Sequence, residues 1–216
     1  MSPNSISYLA LRLEGPLQAW GFESVLNIRK TGLMPTKSAI AGMCCAALGY
    51  DRGCDQERVF LEAFSQVRMT AMAIPRGDKH VRRMQDFHTV QNTRTADGKI
   101  KNCQMTYRQY LCDAGFGILL EGDSQLLQQV SEALKNPVWG LWLGRKSCIP
   151  SAPILAGLRD TKEEALQLII GDQALDKFTR QEDAKSFAEG RDTIMDSPIS
   201  FASNKRQFAP RRVANY

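Results

Sequence analysis

The residues of this chain best suited to binding an anion lie between positions 76 and 112. This segment contains eight basic and three acidic residues, so its net charge of +5 equals that of the whole 216-residue chain. A local basic arm on a neutral body indicates a polyanionic partner, although a solvated charged loop has the same composition. The cations that we expect to meet phosphates here are Arg82, Arg83, Arg94, Lys99, Lys101 and Arg108.

Two other segments have residue types that suit a phosphate. Arg29 and Lys30 precede a predicted helix that starts at Thr36-Lys37-Ser38, and the first turn of a helix offers free N–H groups. The alternative is an ordinary capped helix with exposed lysines. In the second segment, Gly144 is followed by Arg145, Lys146 and Ser147, so a flexible backbone is joined to two cations and a hydroxyl.

Two tryptophans precede this second segment. Trp139 and Trp142 either stack on nucleobases or fill the core, and the core is the preferred interpretation, although Trp142 stays among the candidate RNA contacts.

The sequence offers little for catalysis. His88, Tyr107 and Lys101 resemble the acid–base set of a metal-independent ribonuclease, but a His88 that hydrogen-bonds within a hairpin or to RNA is the preferred interpretation. The six cysteines form no C-x-x-C pair and there are only two histidines, so we expect no metal and no cofactor. We expect buried, reduced cysteines in a cytoplasmic protein with no membrane span or signal peptide.

Hydrophobic periodicity predicts the elements that position these residues. Strands are predicted at 6–14, 65–74 and 115–122, and helices at 37–48, 124–136 and 162–170, with Thr36 and Thr161 as N-caps. A long hairpin with its turn at 96–98 lies between the second and third strands. This order predicts an α+β, ferredoxin-like (RRM-like) fold, followed by an irregular stretch over 171–200.

Six segments in order resemble one known family. They read LRLEGPLQAWG, RKTGLMPTKSAIAG, DFHTV, YRQYLCDAGFG, WLGRKSCIP and RQFAPR. The chain resembles the fifth CRISPR-associated protein family, in its type I-E Cascade form. The resemblance implies a palm over 1–76 and 111–216 and a β-hairpin thumb over 77–110.

The resemblance also implies a function. We expect a non-catalytic Cascade subunit that binds and caps the 5′ handle of the CRISPR RNA, contacts the adjacent backbone subunit and the large subunit, and meets target DNA through the complex. The alternative, taken from relatives that process precursor RNA, is a metal-independent endoribonuclease. The expected RNA contacts are Arg29, Lys30, Thr36, Lys37, Ser38, Arg82, Arg83, His88, Arg94, Lys99, Lys101, Tyr107, Arg108, Trp142, Gly144, Arg145, Lys146 and Ser147.

Overall fold

The computed structural model describes residues 5–21, 27–77, 81–95 and 97–216. Within these ranges the chain is a mixture of strands and helices, as the sequence predicts. The bounds in chain order are β1 Ile6–Glu14, β2 Leu17–Gln18, β3 Ile28–Arg29, α1 Lys37–Leu48, α2 Asp55–Ser65, β4 Arg68–Ala73, β5 Arg82–Arg94, β6 Ile100–Cys112, β7 Gly115–Asp123, α3 Ser124–Lys135, β8 Leu155–Arg159, α4 Lys162–Ile170, a 3-10 helix Leu175–Lys177, β9 Arg180–Asp183, β10 Asp192–Ser200 and β11 Gln207–Asn215.

A seven-stranded antiparallel sheet forms the body of the molecule, in the order β10-β11-β9-β4-β7-β1-β8. The predicted alternation of β1 is confirmed, because Leu9, Leu11 and Leu13 are fully buried on one of its faces. Ala10 on the opposite face is also fully buried, so the sheet is covered on both sides.

Helices supply this double cover. α1, α2 and α3 pack against the face that carries Leu9, Leu11 and Leu13. α4 covers the other face, where Ala165 and Ile169 join a smaller core with Ala10. Within the described ranges, no helix is long and apolar enough to cross a membrane.

The predicted helix caps are confirmed. The Thr36 hydroxyl accepts a hydrogen bond from the Ala39 N–H, and α1 ends at Gly49, whose φ of 73° lies in the left-handed region that favours glycine. The Thr161 hydroxyl likewise accepts a hydrogen bond from the Glu164 N–H at the start of α4. Capping residues are local signals, which explains why these helices are readable from the sequence.

Two parts of the sequence prediction are wrong. Helix α2 was not predicted, although Phe60, Leu61 and Phe64 bury one of its faces. The stretch 171–200 is not irregular, because β9 and β10 belong to the main sheet. β10 buries Asp196 where an alternating strand pattern would place an apolar residue, so its periodicity is hidden.

The long hairpin of β5 and β6 builds a second sheet with β2 and β3. In the pairing of β5 with β6, Arg82 lies opposite Cys112 at one end and Arg94 lies opposite Ile100 at the other. β3 runs parallel to β6. Gly98 closes the predicted turn with a φ of 81°. Residue 96 of this turn and residues 78–80, at the start of the predicted thumb, lie outside the described ranges.

Candidate nucleic-acid interface

The long hairpin is an exposed ribbon over most of its length. Its side chains are exposed or half-buried until the strands reach the body, where Tyr110 and Leu111 are buried. Because residues opposite each other in a sheet project from the same face, the pairing of β5 with β6 assigns every side chain to one of two faces.

One face of the long hairpin carries polar side chains at its middle, between Met84 and the exposed Ile100. Asp86 lies opposite Arg108, and His88 lies opposite Thr106. The His88 Nε2 atom is 2.8 Å from the Asp86 Oδ2 atom, and both side chains remain partly exposed. This face therefore presents a cation and a histidine beside a carboxylate.

The other face carries a group of large apolar side chains among polar ones such as Gln85 and Thr89, and we call it the apolar face. Phe87, Tyr107 and Ile28 form a row across β5, β6 and β3. Phe87 is 64% exposed, Ile28 43% and nearby Met105 47%. Large apolar side chains grouped on an exposed ribbon indicate a surface that another molecule covers.

His88 and Tyr107 do not converge. His88 pairs with Thr106 on the polar face, whereas Tyr107 pairs with Phe87 on the apolar face. The ribbon backbone therefore separates the two groups that the sequence suggested as a ribonuclease acid–base pair.

Cations of the long hairpin stay accessible to a partner. Arg82 is 3.8 Å from Asp113, Lys99 is 3.4 Å from Asp97, and all of these contacts are solvent-exposed. Exposed ion pairs contribute little to stability and exchange easily for other anions. The remaining exposed cations on the long hairpin and on the adjoining β3 segment are Arg29, Lys30, Arg83, Arg94 and Lys101.

The Arg145 guanidinium forms hydrogen bonds within the protein. Its Nη1 donates to the Gln109 carbonyl at 2.7 Å, and its Nη2 donates to the Arg29 carbonyl at 2.9 Å. Its guanidinium carbon lies 4.6 Å from the centre of the Tyr110 ring. The side chain therefore ties β6 to β3 at the base of the long hairpin, while neighbouring Lys146 and Ser147 remain exposed.

The loop that carries Arg145 depends on a glycine. Gly144 has a φ of 103°, and a Cβ atom there would lie 1.9 Å from the Ala19 carbonyl oxygen. Gly144 therefore packs against the body and does not offer its backbone to a ligand. The core interpretation of the tryptophans is wrong, because Trp139 is 42% exposed and Trp142 37%. Both rings remain available for stacking.

The predicted phosphate site at the start of α1 needs correction. Lys37 is only 4% exposed. Its Nζ donates to the Val67 carbonyl at 2.5 Å and lies 3.0 Å from an oxygen of Asp183. The Lys37 N–H donates to an Asp196 oxygen at 2.9 Å, so a carboxylate of the protein already occupies this helix start.

The hydroxyls at this helix start also face inward or pair locally. Thr36 is only 8% exposed and serves as the N-cap, and Ser38 Oγ lies 3.2 Å from Thr36 Oγ1. Ser38 is half-buried, so it reaches the surface in part.

Sequence reasoning missed the residues that complete the buried group of charges around Lys37. Arg211 forms ion pairs with Asp183 and Asp196, and with Lys37 they make a buried set of two cations and two anions. Burial lowers the pKa of Arg211, but hydrogen bonds and charge attraction from Asp196 and Asp183 outweigh burial and raise it. The available signal was the RQFAPR segment, which contains Arg211.

The cysteines divide by position. Cys44, Cys45 and Cys148 are buried as predicted, whereas Cys103 is exposed on the long hairpin. Burial raises the pKa of the Cys45 thiol to about 12. In the described part of the chain, no three His, Cys, Asp or Glu side chains come together in a group that could hold a metal ion.

Comparison with known proteins identifies the family. The family model described as CRISPR-associated protein (Cas_Cas5) matches residues 8–214, almost the whole sequence. The chain belongs to the CRISPR-associated Cas5 family.

Relatives of this Cas5 chain agree with that assignment. It is 33% identical to the CRISPR system Cascade subunit CasD of Escherichia coli K12 over 161 residues, which is 70% of each protein. A solved structure titled "Crystal structure of Cas protein" is 31% identical, has a TM-score of 0.70, and is matched over 97% of this chain and 93% of that one. A chain of a "CRISPR RNA-guided surveillance complex" has the same fold, with a TM-score of 0.76 at 24% identity over 97% and 89%.

Proposed function

We propose that this Cas5 chain is a non-catalytic subunit of a type I-E Cascade complex in the cytoplasm. In this role it binds and caps the 5′ handle of the CRISPR RNA. It contacts the adjacent backbone subunit and the large subunit, and it meets target DNA through the complex. Its membership of the Cas5 family and its similarity to the Cascade subunit CasD support this proposal.

The observation that carries the proposal is the long hairpin. It places exposed cations and an exposed apolar face where no residue of the described ranges covers them. Cations suit RNA phosphates, and exposed aromatic rings suit bases or a protein neighbour. We therefore assign it the role of a thumb over 77–110, beside a ferredoxin-like palm whose central strands have the order β8-β1-β7-β4.

The structure changes which residues we assign to RNA. Lys37 and Thr36 are removed because they are buried, and Arg145 and Gly144 become residues that position the surface. The cations of the long hairpin, Arg29, Lys30, Lys146 and the exposed ring of Trp142 remain. The side chains of Ser38 and Ser147 reach the surface and stay among the candidates, and His88, Tyr107 and Arg108 lie on the ribbon itself.

The separation of His88 from Tyr107 weighs against an endoribonuclease. General acid–base catalysis requires both groups within hydrogen-bonding reach of one phosphodiester. Side chains on opposite faces of a ribbon do not meet this requirement. Purified protein incubated with repeat RNA in EDTA should therefore leave the RNA intact, and a product that His88→Ala abolishes would establish the enzyme instead.

The direct test shortens the long hairpin and leaves its base. Replacing residues 88–106 by a short Gly-Ser turn keeps the Arg145 contact with Gln109 and the pairing of β3 with Tyr107 and Arg108. Thermal melting should hardly change, because the removed residues are exposed or half-buried. Co-purification with the backbone subunit and guide RNA should be lost. A shortened protein that assembles fully would refute the proposed role of the hairpin.

A further inference from the structure

Two turns meet at a surface separate from the long hairpin. One joins α1 to α2 and contains Arg52 and Gly53, and the other joins β10 to β11 over residues 201–206. A Cβ atom at Gly53 would lie 3.0 Å from the Ala202 Cβ, so the turns are in close contact. The Lys205 N–H donates to the Ala202 carbonyl at 3.1 Å, which closes the second turn.

A buried carboxylate fixes these turns relative to each other. Glu57 is only 1% exposed. Its Oε2 accepts hydrogen bonds from the Gly53 N–H at 3.0 Å and from the Phe201 N–H at 3.3 Å. Hydrogen bonds to a charged acceptor are among the stronger ones in proteins, so the surface is preorganised.

Arg206 is held on this surface by aromatic rings. Its guanidinium carbon lies 5.8 Å from the centre of the Phe201 ring and 5.5 Å from that of Phe208. The two rings contact each other edge to face at 6.4 Å. Stacking on rings restrains a guanidinium but leaves its N–H groups free to bind.

These cations lack the carboxylates that neutralise other cations in the protein. Among the described residues, no acidic side chain pairs with Arg52, Lys205 or Arg206, whereas Lys37 and Arg211 are fully paired. Burial, and then the positive charge of Arg52, lower the pKa of Arg206. A like-charged pair of this kind is relieved by an anion.

We propose that Arg52 and Arg206, with Lys205, form a second phosphodiester-binding site that holds a nucleic-acid backbone away from the long hairpin. The site rests on the proposed function in that the assembled complex supplies the nucleic acid. A phosphodiester matches the planar fork of arginine. The strand is either single-stranded RNA or duplex DNA, because both present the same phosphates.

The composition of the surface favours nucleic acid over an acidic protein. The exposed residues of the second turn are Ser203, Asn204, Lys205 and Arg206, and all of them are polar. The aromatic ring of Phe201 is buried beneath them. The buried core of a protein interface is usually more apolar than the rest of the surface and depleted of lysine, so this polar turn fits a phosphate contact better.

The test replaces both arginines and measures binding as a function of salt. The full chain with Arg52→Gln and Arg206→Gln is titrated with fluorescent single-stranded RNA and, separately, with duplex DNA. For two lost phosphate contacts, the log–log salt slope should fall by about 1.4 with RNA or about 1.8 with duplex DNA, and binding at 0.1 M salt should weaken at least about 25-fold. The arm whose slope falls by its own expected amount identifies the strand. Arg52→Lys with Arg206→Lys should restore most of the slope.

Matched controls make each outcome decisive. Arg58→Gln with Lys135→Gln removes the same charge from exposed side chains on α2 and α3, outside the two turns, and it should leave both slopes unchanged. An unchanged slope in the arginine variant, while the wild type binds, refutes this site alone. An unchanged slope together with loss of co-purification refutes it in favour of a protein contact. A wild-type chain and assembled complex that bind neither ligand refute the proposed function as well.

Discussion

At the scale of single residues, the type of a side chain predicts its chemistry but not its partner. Lys37 and Arg145 both stand in basic segments that suit a phosphate. The structure instead places Lys37 against Asp183 and directs Arg145 to two backbone carbonyls. All of these partners are distant in sequence, so no local pattern could reveal the contacts.

Arg145 and its neighbour should therefore respond differently to substitution. Arg145→Ala removes two charge-assisted hydrogen bonds and a cation–π contact, and it should lower the free energy of unfolding by about 2–4 kcal/mol. Lys146→Ala should leave stability unchanged and reduce the salt slope of RNA binding by about 0.7. Urea unfolding and RNA titration of both variants measure these effects. Equal stability of the two variants would show that Arg145 is not a structural clamp.

Gly144 allows a comparison with another glycine of positive φ. Gly144→Ala combines a strained backbone with a clash against the Ala19 carbonyl, so it should cost about 2–6 kcal/mol. Gly77 has a φ of 59°, but a Cβ atom there meets nothing within 4 Å. Gly77→Ala should cost only about 1 kcal/mol. Chemical denaturation of both variants tests the difference, and similar midpoints would contradict the close approach at Ala19.

At the scale of elements, prediction from sequence succeeds where the signal is local. α1 and α4 have threonine caps, and β1 alternates, so all three are predicted with nearly their observed bounds. β9 and β10 are missed because charged residues hold them to the body. Asp183 and Asp196 resemble loop residues until Lys37 and Arg211 are known to face them.

The buried ion cluster should be essential for holding β10 and β11 on α1. Arg211→Met leaves Asp183 with the Lys37 ammonium and Asp196 with only the Lys37 backbone N–H, and it should cost about 3–5 kcal/mol of unfolding free energy. Arg191→Met is the matched control. Its side chain is exposed just before β10, so the cost should stay within about 0.5 kcal/mol. Equal unfolding midpoints in guanidinium would show that the cluster contributes nothing specific.

At the scale of the whole molecule, the excess positive charge is concentrated in one segment of the chain. The excess of +5 lies in residues 76–112, which include the long hairpin, while the remaining residues are neutral overall. This partition is visible in the sequence because it depends on composition alone. The assignment of side chains to a polar and an apolar face follows only from the register of β5 with β6.

The tip of the long hairpin should therefore dominate the electrostatics of RNA binding. Replacing Arg94, Lys99 and Lys101 by glutamine should lower the log–log salt slope for single-stranded RNA by about 2. Replacing Arg12, Arg58 and Lys135 by glutamine removes the same charge from β1, α2 and α3 in the body of the molecule, and the slope should stay constant. Equal slopes for the two triple variants would show that only net charge matters.

The buried ion pairs of Lys37 with Asp183 and of Arg211 with Asp196 also determine when the nascent chain can fold during synthesis. Lys37 leaves the ribosome early, and at about 5–20 residues per second Arg211 follows only after roughly ten to thirty-five seconds. Before Asp183 emerges, closing α1 onto the sheet would bury the Lys37 ammonium without its counter-charge. Before Arg211 emerges, it would bury Asp183 and Asp196 with too few cations, and either state costs several kcal/mol. The nascent chain is therefore expected to stay open through most of its translation and to close when β11 arrives.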